Sequence, residues 1–109
     1  MTRIIFTRKN GRIARVECDG HTGYGVEGED IVCAALSSIV QTAVLGVLGV
    51  AKVNADYRID EEKGNLTLSI PDNISAKQAD ATEIILSTLL LGVSDLHEGY
   101  SDFIEMEVK

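Results

Sequence analysis

The chain has 109 residues, 45% hydrophobic and 25% charged, with ten Lys+Arg against seventeen Asp+Glu. That length allows one domain over residues 1–109 without a second independent core, and the composition excludes a mainly disordered chain. A formal charge of −7 argues against direct nucleic-acid binding, which needs excess Lys and Arg, and favours a basic partner.

The first predicted strand runs from Arg3 to Arg8, with Ile4 and Phe6 on one face. Asn10-Gly11 is a strong signal for a type I′ hairpin, because both positions need positive φ. The chain returns as a second strand from Arg12 to Cys18, with Ala14, Val16 and Cys18 on one face. From Asp19 to Gly28 there are four glycines, which makes the segment a loop able to approach a ligand closely. A long helix follows from Glu29 or Asp30 to about Lys52, with Asp30 as a suitable N-cap.

Within that helix Ile31 to Ala51 carries no charge, long enough to ask whether it spans a membrane. Ser37, Ser38, Gln41, Thr42, Gly46 and Gly49, and the lack of a flanking basic cluster, favour a fully buried central helix instead. Two strands with clear period-2 alternation come next, Ala55-Tyr57-Ile59 and Leu66-Leu68-Ile70, joined by the turn Glu61-Glu62-Lys63-Gly64. Ser75 with Gln78 fits a capping box and opens a second helix. Its expected buried stripe is Ala81, Ile84, Ile85, Thr88, Leu89, Gly92 and Leu96. Tyr100 to Val108 is the last strand. The order ββαββαβ predicts an α+β, two-layer fold, a mixed sheet of about five strands with two helices on one face. The strand order is not readable from the pattern.

Two cysteines are too few for a disulfide scaffold, and Met1 to Phe6 lacks the apolar run of a signal peptide. A cytoplasmic chain with both thiols reduced is expected. The residues with chemical promise lie between Gly20 and Ser37. With Asp30 as N-cap, Cys33 is at N3, where unpaired N–H groups and the positive helix end stabilise a thiolate. Asp30, Cys33 and Ser37 fall on one helical stripe. His21, in the loop, can fold back to take the thiol proton, with Asp30 orienting it and Ser37 steadying sulfur or substrate. The bland reading of the same residues is a core cysteine and a solvated loop histidine. Cys18 reads as core, and His97 as a structural residue suited to a helix C-terminus. Cys18-x-x-His21 with Cys33 and His97 does not have the spacing of zinc ligands, so no metal and no cofactor are expected.

Gly20-His21-Thr22-Gly23-Tyr24-Gly25, followed by Gly28-Glu29-Asp30-Ile31-Val32-Cys33-Ala34-Ala35-Leu36-Ser37, resembles the ribosomal-processing cysteine protease family Prp. Length and element order are similar too, so the resemblance spans essentially the whole chain. Thr22 departs from it, since members often have Ala after the His.

The resemblance implies an endopeptidase that removes the short N-terminal extension of the bacterial large-subunit ribosomal protein numbered twenty-seven. Cleavage falls after an aromatic pair and before a small residue. It implies Cys33 as nucleophile and His21 as general base and acid. Asp30, Ser37 and Gly20 are then supporting positions, and Thr22, Gly23, Tyr24 and Gly25 form the substrate-binding part of a mobile loop. It also implies a homodimer. The competing expectation is a non-catalytic ribosome-associated module that engages basic protein tails.

Overall fold

The computed structural model describes residues 1–19, 29–60 and 62–109. Along the chain these form β1 (Thr2–Lys9), β2 (Arg12–Asp19), α1 (Glu29–Gly49), β3 (Asp56–Asp60), β4 (Asn65–Ser69), α2 (Ala76–Gly99) and β5 (Ile104–Val108). The order is the ββαββαβ of the sequence pattern.

The β1–β2 turn takes the predicted form, with Asn10 at φ 55° and Gly11 at φ 79°. Phe6 faces Val16 and Thr7 faces Arg15, but Arg8 faces Ile13, so Ala14 is an extra residue in β2. Such a bulge reverses the side-chain alternation beyond it. Ile13 therefore enters the core beside Val16 and Cys18, and Ala14, expected there, is only half-buried.

The five strands lie in the order β3-β4-β2-β1-β5. All neighbours are antiparallel except β1 and β5, which run parallel. Inward positions of the central strands, Ile4, Phe6, Val16 and Leu68, meet Leu36, Val40, Val44 and Val47 of α1 and Leu86 and Val93 of α2 in one core. Each buried aliphatic or aromatic side chain contributes about 1.5–3 kcal/mol by leaving water, so this cluster is the main source of stability.

α1 differs from the expected fully buried helix. Its Ile31–Gly49 segment is long and apolar enough to cross a membrane by length and composition, yet only 39% of that stretch is buried. Val32, Cys33, Leu36, Val40, Val44 and Val47 face inward, whereas Ile31 and Leu45 are 76% and 68% exposed. A two-layer fold has nothing beyond its helices, so one side of α1 stays uncovered.

Ser75 caps α2 as predicted. Its hydroxyl accepts from the Gln78 N–H at 3.1 Å, and the Gln78 side chain accepts from the Ser75 N–H at 2.9 Å. The buried stripe is Thr82, Leu86, Leu89 and Val93, while Ile84 and Leu91 point outward. The run from Ile84 to Leu91 is apolar around most of the helix, so periodicity alone left the phase open, and contact with the sheet decided it.

Candidate active site

Cys33 and Ser37 stand one turn apart on α1 and open into the same cleft of about 330 Å³. Helical spacing of i and i+4 puts both on one face. The cleft lies between the first half of α1 and the ends of β2, β3 and β4. Thr2 and Cys18 line it from the central strands, Leu66 from β4, and Ile59 and Asp60 from β3. Burial grades along it: Cys33 is 4% and Leu66 8% exposed, whereas Ile59 at the rim is 51% exposed. The thiol lies at the inner end, and the exposed rim is mixed, with Ile59 beside Asp60 and Gln41.

Strand pairing explains the floor. Cys18 faces Ile4 on β1 and Leu66 on β4, and Leu66 faces Ile59 on β3, so these residues share the sheet surface that looks toward α1. The β3–β4 hairpin is thereby brought over the site. Its turn is held by the Asp60 carboxylate, which accepts from the Lys63 N–H at 3.2 Å, and by Gly64 at φ 67°. A left-handed Gly64 suits a tight turn because it has no Cβ to clash.

Both cysteines are thiols, with no disulfide between them. Burial pushes the Cys18 thiol up from 9.0 to about 12, and the negative charges of Cys33 and Asp19 push in the same direction. Cys18 therefore remains protonated at neutral pH, as a core cysteine should.

α1 begins earlier than the N-cap expectation required. Glu29 and Asp30 are both helical, so Asp30 is not the cap, and Cys33 stands four residues beyond the first described residue of the helix. The field of a helix end fades within its first turn, so less of it reaches Cys33 than a place at N3 would give. Only the backbone of Asp30 is described, and Gly20, His21, Thr22, Gly23, Tyr24 and Gly25 lie outside the described residues. Among the described residues no cluster of three or more His, Cys, Asp or Glu side chains is arranged to hold a metal. His97 is half-buried in the last turn of α2, where its carbonyl accepts from the Tyr100 N–H at 3.3 Å.

Ile59, Asp60, Asn65 and Leu66 were not singled out from the sequence as site residues. The alternation places Leu66 inward, but only the unread strand order sets β4 beside β2. Two other hollows lie elsewhere, a 160 Å³ recess by the Asn10-Gly11 turn and a 450 Å³ groove between α1 and α2. Neither is lined by a thiol or an imidazole. In the groove, Thr42 and Thr88 donate their hydroxyls to the backbone carbonyls of Ser38 and Ile84.

A family-wide sequence profile described as cysteine protease Prp matches residues 1–105. The chain belongs to the cysteine protease Prp family. The ribosomal processing cysteine protease Prp of Staphylococcus aureus is 28% identical over 105 residues, covering 96% of this chain and 95% of that one. Its namesake in Bacillus subtilis is 22% identical over 90 residues, covering 83% and 80%. The S. aureus Prp solved with a substrate peptide superposes with a TM-score of 0.90 over the whole of both chains at 26% identity. The same protease with a covalently linked product peptide superposes at 0.84, with 27% identity. The two-layer ββαββαβ architecture is thus that of solved Prp proteases.

Proposed function

We propose that this Prp-family chain is a cysteine endopeptidase, one protease domain over residues 1–109, acting on the precursor of large-subunit ribosomal protein twenty-seven. It would remove that protein's short N-terminal extension in the cytoplasm. The observation that carries this reading is Cys33 on α1 beside Ser37, opening into a cleft bounded by the β3–β4 hairpin. The S. aureus relative's covalently linked product peptide supports a step through a bond to the enzyme.

In this reading the Cys33 sulfur attacks the scissile carbonyl after His21 takes its proton. The unpaired N–H groups of the first turn of α1 receive the oxyanion. Collapse forms the thioester and breaks the peptide C–N bond, and the leaving amine takes the proton from His21. Water then hydrolyses the thioester and restores the thiol. Asp30 orients His21, and Ser37 hydrogen-bonds the substrate or the sulfur. Gly20 gives the loop its start, and Thr22, Gly23, Tyr24 and Gly25 close over the peptide. Ile59 and Leu66 supply apolar surface for an aromatic residue beside the cleavage point.

A homodimer belongs to the same proposal. Ile84 and Leu91 are 69% and 72% exposed on α2, and Ile84 also lines the apolar groove between the helices. Association through an uncharged helical surface avoids bringing together two chains of charge −7.

Incubation with a peptide bearing the extension, followed by mass spectrometry, tests the reaction. Cys33→Ala and His21→Ala should each abolish cleavage while far-UV circular dichroism stays unchanged. Cleavage retained by Cys33→Ala overturns the mechanism. The competing non-catalytic binding module is favoured by the small exposure of Cys33. Alkylation of Cys33 no faster than a model thiol at neutral pH, together with peptide binding and no cleavage, would establish that module instead.

A further inference from the structure

Cys18 is a nucleophilic group in the cleft that the proposed reaction does not use. It sits on β2 with its partners Ile4 and Leu66, on the sheet surface that looks toward α1. Cys33 comes down from α1 into the same cleft. Cys18 and Cys33 thus line one cleft from opposite layers, the sheet and the helix. Both are nearly covered by protein, so a small oxidant entering the cleft meets them together.

We propose that Cys18 is a resolving thiol: a peroxide that oxidises Cys33 leads to an intramolecular Cys18–Cys33 disulfide that silences the site reversibly. The proposal rests on Cys33 being the reactive cysteine. In the first step the Cys33 thiolate attacks a peroxide oxygen. The S–O bond forms and the O–O bond breaks; the peroxide is reduced to water or an alcohol, taking one proton from solvent, and Cys33 becomes the sulfenic acid. In the second step the Cys18 sulfur attacks the Cys33 sulfur. The S–S bond forms, the S–O bond breaks, and the hydroxide leaves with the Cys18 proton as water.

The order of events follows from the surroundings. Cys18 stays a thiol at neutral pH, which leaves Cys33 as the sulfur for the oxidant. A disulfide needs the two Cα atoms within about 7 Å, and forming it would consume the nucleophile.

The test treats the full chain with hydrogen peroxide and, in a separate arm, with an organic hydroperoxide. The wild-type protein should become lighter by two hydrogen atoms, and a non-reducing digest should yield one peptide pair joined through Cys18 and Cys33. Cleavage activity should fall and return with dithiothreitol. Cys18→Ala, scored against its own untreated activity, should recover roughly fivefold less and accumulate Cys33 sulfinic acid. Sulfinic acid at Cys33 in the wild type with Cys18 still a thiol overturns the proposal, as does equal recovery in the two proteins. If Cys18→Ala does not fold, the wild-type cross-link map still decides. Equal cleavage by Cys33→Ala removes Cys33 as the nucleophile, while the wild-type cross-link is still read by mass.

Discussion

At the residue scale the two cysteines have opposite fates within one cleft. Cys18 is held protonated by its apolar surroundings, with a folded-state pKa raised from 9.0 to about 12. The unfolded chain therefore loses this proton first as pH rises. Stability is unaffected by Cys18 below about pH 9 and falls between there and pH 12. Replacing it in Cys18→Ala should make the alkaline loss of stability shallower, read from denaturant midpoints across that range. Iodoacetamide at neutral pH should label Cys33 before Cys18, and mapping of the labelled peptides checks the order. Ser37→Ala should lower kcat/KM about tenfold, the worth of roughly one hydrogen bond of 1.4 kcal/mol, without moving the thermal midpoint.

At the scale of elements, α2 shows what hydrophobic periodicity can and cannot decide. Its start was legible because Ser75 and Gln78 satisfy otherwise unpaired N–H groups by a local rule. Its rotation was not, because Ile84, Ile85, Leu86, Leu89, Leu90 and Leu91 offer apolar surface on nearly every side. Leu86→Ala should cost about 2–5 kcal/mol by leaving a cavity. Ile84→Ala should cost less than about 0.5 kcal/mol in the monomer. Thermal unfolding of the pair checks the assignment. Ser75→Ala should cost about 1 kcal/mol through loss of the cap, lowering the midpoint by about 4–8 °C. β2 is the second lesson: a one-residue bulge at Ala14 defeats strict alternation, and no local residue announces it.

At the scale of the whole molecule the architecture was legible and the assembly of the site only partly so. Asn10-Gly11 and the capping box are local signals and were read correctly, whereas alternation failed at Ala14 in β2 and the last strand begins at Ile104 rather than Tyr100. Strand order is a long-range property, so the placing of Ile59, Asp60 and Leu66 around Cys33 had to come from coordinates. Position along α1 was also misjudged. Asp30 is inside the helix rather than capping it, so Cys33 lies further from the helix start than the expected N3 position. Charge acts at this scale too. Arg3, Lys9, Arg12, Arg15 and Arg58 each face an acid at 3.5 Å or less in exposed pairs, worth about 0–1 kcal/mol each. Among the described residues these pairs engage five cationic side chains. The remaining field is negative, so kcat/KM for a basic peptide should fall as salt is raised from about 0.05 to 0.5 M, mainly through KM.

The parallel pairing of β1 with β5 has a consequence for the birth of the molecule. During vectorial synthesis, at about 5–20 residues per second, β1 emerges first and the strand that covers its outer edge arrives last. In the interval the nascent chain displays an uncovered row of amides and carbonyls on Thr2–Lys9, the kind of edge that recruits another chain. A stop codon just ahead of Ile104 would make that transient state permanent, and such a chain should precipitate rather than accumulate as a trimmed but soluble protein.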